Sequence, residues 1–151
     1  MADQNMDCFR KCVADVIVMR EDKVLLLKPS YRATWQFPGG HIEGHETPRM
    51  AAAREALEEI GVQPALERLL CVNAETKEKS GDDALCFVFL GRLPEDAAIN
   101  VDGAEIAQYE WVSMNQALER LHPLPRALFP VLCDAIKEGR TIYAEDAASC
   151  L

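Results

Sequence analysis

Glu55, Glu58 and Glu59 lie at positions i, i+3 and i+4 of a run of strong helix formers. At about 100° per residue they share a ~100° sector of one helix surface. Three like charges on one patch repel one another, and two arrangements relieve them. One is a solvated acidic face, with Glu58 offset by Arg54 four residues earlier. The other is a hard divalent cation that takes oxygen ligands, Mg2+ or Mn2+, and lets an anionic substrate approach the carboxylates. On the helix alone the solvated face is the commoner arrangement.

The helix that must present these acids is well marked. Thr47 suits the N-cap, Pro48 the first helical position, and Gly61 the stop past the last turn. Met50, Ala53, Leu57 and Ile60 recur on the opposite side and predict a buried stripe, with the carboxylates facing out. Ala51 and Ala52 beside the acids would leave room for ions and substrate. Upstream, residues 13–19 and 24–27 read as strands joined into a hairpin by the polar residues 20–23. Residues 35–37 are a short extended stretch, and Pro38, Gly39 and Gly40 predict a loop. Downstream, residues 68–74 and 84–90 are strand-like, and residues 94–103 are loop. Residues 109–112 predict a final strand with Tyr109 and Trp111 in the core. Ser113 caps a short helix through Leu121, and residues 125–138 form a last helix closed by Gly139. This order predicts an α+β fold with a mixed sheet and helices on both faces.

A chain of 151 residues is one ordinary domain, spanning residues 1–151 with 1–10 and 144–151 as flexible tails. No apolar run approaches the ~18 residues of a membrane span, and the first residues lack a signal-peptide core, so a cytoplasmic protein is expected. The net charge of −9 argues against non-specific nucleic-acid binding, which needs cations against phosphates. Six cysteines without a C-x-x-C pair suit reduced thiols, and His41, His45 and His122 do not supply zinc spacing.

The residues around the acids tip the balance from a solvated face to a metal site. From Gly40 the chain runs five residues to Glu46 and seven to Arg54-Glu55, then Ala56, Leu57, Glu58-Glu59, Ile60, Gly61 and Val62. This resembles the Nudix box, G-x5-E-x7-R-E-U-x-E-E-x-G-U, where U is bulky and aliphatic. All seven fixed residues stand at their spacing. At roughly 7% abundance per residue type, chance supplies such a match once in ~10⁸ placements. Ala56, small for its position, is the one departure. The segment from Trp35 to Gly40 is similar to what family members carry before the box. Glu105, six residues ahead of Trp111, resembles a glutamate that some members use as a further ligand or base.

The resemblance implies a MutT-like Nudix hydrolase with a three-layer α/β/α sandwich. Such enzymes hydrolyse a nucleoside diphosphate linked to another group with the help of a divalent metal. Carried over, Glu55, Glu58 and Glu59 are metal ligands, and the Gly39 carbonyl adds an oxygen. Arg54 orients the glutamates, Glu46 supports Arg54, and Glu55, Glu58 and Glu105 are candidate bases. Gly40, Trp35 and Arg32 are candidate substrate contacts, against plainer roles for Trp35 in packing and for Arg32 in solubility. Expected partners are a small-molecule nucleotide, with a homodimer admitted, and neither nucleic acid nor membrane.

The proline that marks many ADP-ribose hydrolases is missing, and Glu78 occupies its neighbourhood. The tyrosine of dinucleoside polyphosphate hydrolases is missing from residues 77–80, and the coenzyme A motif does not match residues 29–37. A nucleoside triphosphate pyrophosphohydrolase remains. The alternatives are an ADP-sugar or dinucleoside polyphosphate hydrolase, or an inactive nucleotide sensor, which would not need the whole acidic cluster.

Overall fold

The structure, a computed structural model, describes residues 10–76, 78 and 82–151. The apolar run near the start forms β1 (Lys11–Arg20), which turns into β2 (Lys23–Pro29) with Met19 opposite Val24. The first half of β1 pairs instead with β3 (Gly39–His41), where Asp15 lies opposite Gly39. The three residues Pro38, Gly39 and Gly40 are therefore not all loop. With no Cβ on either glycine, the backbone closes onto β1 and completes its ladder.

Helix α1 (Pro48–Ile60) follows, capped by the Thr47 side chain, which accepts from the Met50 N–H, and ended by Gly61 at φ 72°. Next come β4 (Ala65–Glu75), β5 (Ala84–Arg92) and β6 (Ile106–Ser113). Ser113 then opens α2 (Met114–Arg120) through a capping box with Gln116, and α3 (Pro123–Glu138) runs to Gly139. The chain ends in β7 (Ile142–Glu145) and β8 (Ala148–Ser149).

The strands make one mixed sheet in the order β6-β2-β1-β5-β4-β7-β8, with β3 on β1. The β1–β5 and β4–β7 pairs are parallel and the others antiparallel. Alternation along β1 sends Ala14, Val16 and Val18 toward α1 and Ile17 toward α2 and α3, giving the expected α/β/α sandwich. Among the described residues no helix is long and apolar enough to cross a membrane, which says nothing of spanning by strands.

Three expectations change. Residues 144–151 are not a tail. Ile142 and Ala144 are buried against β4, and the buried Asn73 accepts the Ala147 N–H at 3.0 Å, which holds the β7–β8 turn. Residues 1–9 lie outside the described part. Strand β6 is not the last, and Tyr109 on it is 41% exposed, because β6 is a sheet edge. On α1 the expected stripe divides: Ile60 is buried, but Met50 and Leu57 are exposed, and Ala51, Ala52, Ala56 and Glu59 are buried in their place. Alanines seat the helix close to the sheet, and Glu59 rides on that inner side, with Glu55 half-buried beside it and Glu58 exposed.

A Leu at Ala52 must overpack a site with no exposed surface, so Ala52→Leu is expected to cost about 1–3 kcal/mol. Leu57→Lys on the outer face is expected to stay within about 0.5 kcal/mol of wild type. Urea melts of both variants check this, and the reverse order would contradict the seating of α1.

Candidate active site

Gly39 and Gly40 are glycines because of what lies against them. A Cβ on Gly39, whose φ is 154°, would strike the Asp15 carboxylate and come within 2.6 Å of the Ala14 carbonyl oxygen. A Cβ on Gly40 would sit 2.6 Å from Glu55 Oε1. Glu59, only 6% exposed, is held from the same strand: the Gly39 N–H donates to its Oε2 at 2.8 Å. Gln36 Nε2 donates to Glu59 Oε1 at 3.4 Å, and Gln36 Oε1 accepts in turn from Arg32.

Arg54 is the counter-charge of the cluster. Its Nε and Nη2 grip the two oxygens of Glu46 at 2.6 and 3.0 Å, a bidentate fork. Nη2 also donates to the His41 carbonyl at 3.0 Å. Nη1 donates to Glu55 Oε1 at 3.0 Å and to Glu58 Oε2 at 3.2 Å. Glu46 accepts the Glu43 N–H as well, at 3.0 Å, which ties the loop between β3 and α1. The Arg54 bonds hold the Glu46 carboxyl below its ordinary pKa and raise that of the guanidinium.

Glu55 and Glu59 share a cavity of about 510 Å³ with Asp15, Gly39, Gly40 and Glu105. Phe37, Val88, Leu128 and Leu132 give it apolar walls, and Arg32, Gln36 and His122 also line it. Glu105, suggested by its spacing from Trp111, is thus brought to the acids of α1. Glu58 is not: it is exposed, off the cavity and bonded to Arg54. Trp35 also stands outside, packed on the core with the Arg120 guanidinium 5.8 Å from its ring centre. Asp15 and Gln36 are among the cavity residues that sequence reasoning did not single out. Asp15 had left a signal, being one carboxylate inside an apolar strand. Of residues 77–80, whose lack of a tyrosine bears on substrate, only Glu78 is described.

Burial pushes Glu59 up to about 8, with Glu55, Asp15 and Glu105 adding repulsion against the lowering effect of the Gly39 N–H. Burial likewise raises Asp15 to about 7. The Cys86 thiol, which donates to Asp15 Oδ2 at 3.6 Å, opposes that rise, and Glu75 and Glu55 reinforce it. Among the described residues no three His, Cys, Asp or Glu side chains converge on one point ready to ligate. Arg54 engages Glu55 and Glu58, and Gly39 engages Glu59. The donor set still fits a hard divalent cation. It is made of carboxylate oxygens, partly desolvated, two of them held back from ionising by burial and mutual repulsion.

An α/β/α sandwich that sets a buried Glu59 and a half-buried Glu55 against two glycines of the sheet defines a class, and the chain belongs to it. It is a member of the Nudix family, whose NUDIX domain matches residues 10–132, and it is a Nudix hydrolase that cleaves pyrophosphate links. An RNA pyrophosphohydrolase of Hydrogenovibrio crunogenus is 29% identical over 137 residues, 75% of this chain and 81% of that one. Mouse diphosphoinositol polyphosphate phosphohydrolase 3-alpha is 35% identical over 68% of this chain and 62% of its own length. A putative 8-oxo-dGTP diphosphatase of Bacillus subtilis is 35% identical over 66% and 64%. The chain thus spans less than two thirds of the last two. A Nudix hydrolase from Nitrosomonas europaea superposes with a TM-score of 0.76 at 22% identity, covering 92% of this chain and 80% of that one, a likeness of fold.

A carboxyl with a raised folded pKa takes up a proton on folding between its unfolded and folded values. The metal-free protein therefore loses the contribution of Asp15 as pH rises from about 4 in the unfolded chain through about 7 in the folded one. Asp15→Asn is expected to gain melting temperature relative to wild type as pH rises from about 4 to about 7, and to keep that lead above. A difference that stays constant with pH in thermal melts would show that Asp15 titrates normally.

Proposed function

We propose that this chain is a divalent-metal-dependent, MutT-like nucleoside triphosphate pyrophosphohydrolase that releases a nucleoside monophosphate and pyrophosphate. The observation that carries the reading is the shared cavity of Glu55, Glu59, Asp15 and Glu105, in which burial and repulsion hold two carboxyls short of ionisation. Glu55 and Glu59, with the Gly39 carbonyl and with Glu58 turning in from outside the cavity, would hold Mg2+ or Mn2+. When bound, the ion supplies positive charge against the phosphate oxygens as negative charge shifts in the transition state. Arg54 keeps Glu55 and Glu58 turned to one side, and Glu46 anchors Arg54.

Arg32 is suited to a phosphate oxygen. Its Nε is buried without a partner, and among the described residues its guanidinium bonds the neutral amide of Gln36. Glu105 is favoured as the base, because Glu58 is off the cavity and Glu55 is tied to Arg54. It accepts a proton as the water oxygen bonds to phosphorus and the bond from that phosphorus to the departing phosphate oxygen breaks. Phe37, Leu128 and Leu132 offer apolar surface to the organic part of the substrate.

The names of the relatives speak of three carriers: an RNA, an inositol polyphosphate and 8-oxo-dGTP. The missing substrate signatures and the 8-oxo-dGTP diphosphatase support a free nucleoside triphosphate. The RNA pyrophosphohydrolase favours a second reading, the polyphosphate at an RNA end, against which the net charge of −9 weighs.

Glu55→Gln and Glu59→Gln are each expected to lose at least ~100-fold in kcat while still folding, and EDTA to remove turnover. Near-normal rates in both variants would reject the metal site. A substrate panel with Mg2+ and Mn2+, with products identified, ranks the carriers. Nucleoside triphosphates are expected to exceed ADP-ribose and an RNA bearing a terminal triphosphate, and the opposite ranking rejects the substrate assignment.

A further inference from the structure

Glu105 faces the cavity from a turn, and a turn keeps a carboxylate in one place only if its backbone is fixed. This one is fixed from within by Asp102. Its Oδ1 accepts the N–H of Ala104 at 2.9 Å, of Glu105 itself at 3.1 Å and of Ile106 at 3.4 Å. Gly103, at φ 75°, completes the turn by donating its N–H to the Ile106 carbonyl at 3.0 Å. From the other side, the Ser30 N–H donates to the Glu105 carbonyl at 2.9 Å and the Ser30 hydroxyl to the Ala104 carbonyl at 2.5 Å. A register shift between Lys28 and Pro29 sets Pro29 opposite Ile106 and so brings Ser30 within reach. Asp102 is exposed, belongs to neither apolar core and does not line the cavity. Its three amide bonds are local to the turn, so core packing does not account for it.

We propose that Asp102 is a positioning residue of the hydrolytic reaction: it fixes the turn so that the Glu105 carboxylate stands where the attacking water loses its proton. Asp102 itself stands off the cavity and acts only through the backbone of the turn. This rests on Glu105 acting as the base, as proposed above. Replacing Asp102 by alanine releases three amides at once, and the Glu105 side chain then samples several orientations. Asparagine retains an acceptor oxygen in the same place and keeps the turn.

The test is steady-state kinetics of Asp102→Ala, Asp102→Asn, Glu105→Gln and the Asp102→Ala/Glu105→Gln double variant. The substrate is the best nucleoside triphosphate of the panel, with Mg2+. Asp102→Ala is expected to lose about 10-fold in kcat with KM within about 2-fold, and Asp102→Asn to recover most of the loss. Glu105→Gln is expected to lose ~100-fold, and adding Asp102→Ala to it to change kcat by less than about 2-fold. Wild-type kcat in Asp102→Ala beside an impaired Glu105→Gln overturns the positioning role alone. Full multiplication of the two losses in the double variant overturns it too, as does an Asp102→Asn variant no better than the alanine. Wild-type turnover in Glu105→Gln overturns the base assignment and the positioning role with it. Thermal melts accompany the series. If Asp102→Ala does not fold, the asparagine variant and Ser30→Ala, which removes one outer brace, carry the comparison.

Discussion

The placement of Asp15, Glu55 and Glu59 around the two glycines of β3 is the constraint on which the rest depends. Carboxylates resist burial, and three of them so close together resist it further. They are tolerated because Gly39 and Gly40 let the β3 backbone pass between them and because the Gly39 N–H satisfies Glu59 directly. The alanines on the inner side of α1 serve the same end. A helix seated on larger residues would stand farther from the sheet, and Glu59 would not reach the Gly39 amide. Sheet, helix and glycine strand are one arrangement for holding negative charge at a protein wall.

The same cavity carries a second, contrasting chemistry. Part of its wall is apolar, from Val88 on β5 and Leu128 and Leu132 on α3, with Arg32 and the Gln36 amide also lining it. A substrate that suits both must join an anionic polyphosphate to an organic body, which is what pyrophosphohydrolases of this family cleave. The apolar walls are built by residues scattered from Phe37 to Leu132, so the features that choose a substrate are spread along the chain, whereas Glu55, Glu58 and Glu59 sit close together on one helix.

That difference explains what the sequence made legible. Spacing along one helix is local, so the acids, the Thr47 cap and the Gly61 stop could be read directly, and the order of strands and helices led to the sandwich. Which face of α1 is buried could not be read from apolar periodicity. Met50 and Leu57 are the larger side chains, yet the contact is made by small ones because the acids need closeness to the sheet. Gly39 and Gly40 looked like a loop because the partner that turns them into a strand is some two dozen residues away in sequence. Asp15 and Asp102 escaped for a related reason. Each is an isolated acid whose meaning lies in the groups the fold brings to it, the glycine strand for one and three consecutive amides for the other.

Arg54 donates at once to Glu46, His41, Glu55 and Glu58. The guanidinium thus serves as a resident cation, already neutralising oxygens on which an incoming ion would draw. Glu55 and Glu58 each keep their other oxygen clear of the arginine, so an ion taken up there would meet acids whose mutual repulsion is already reduced.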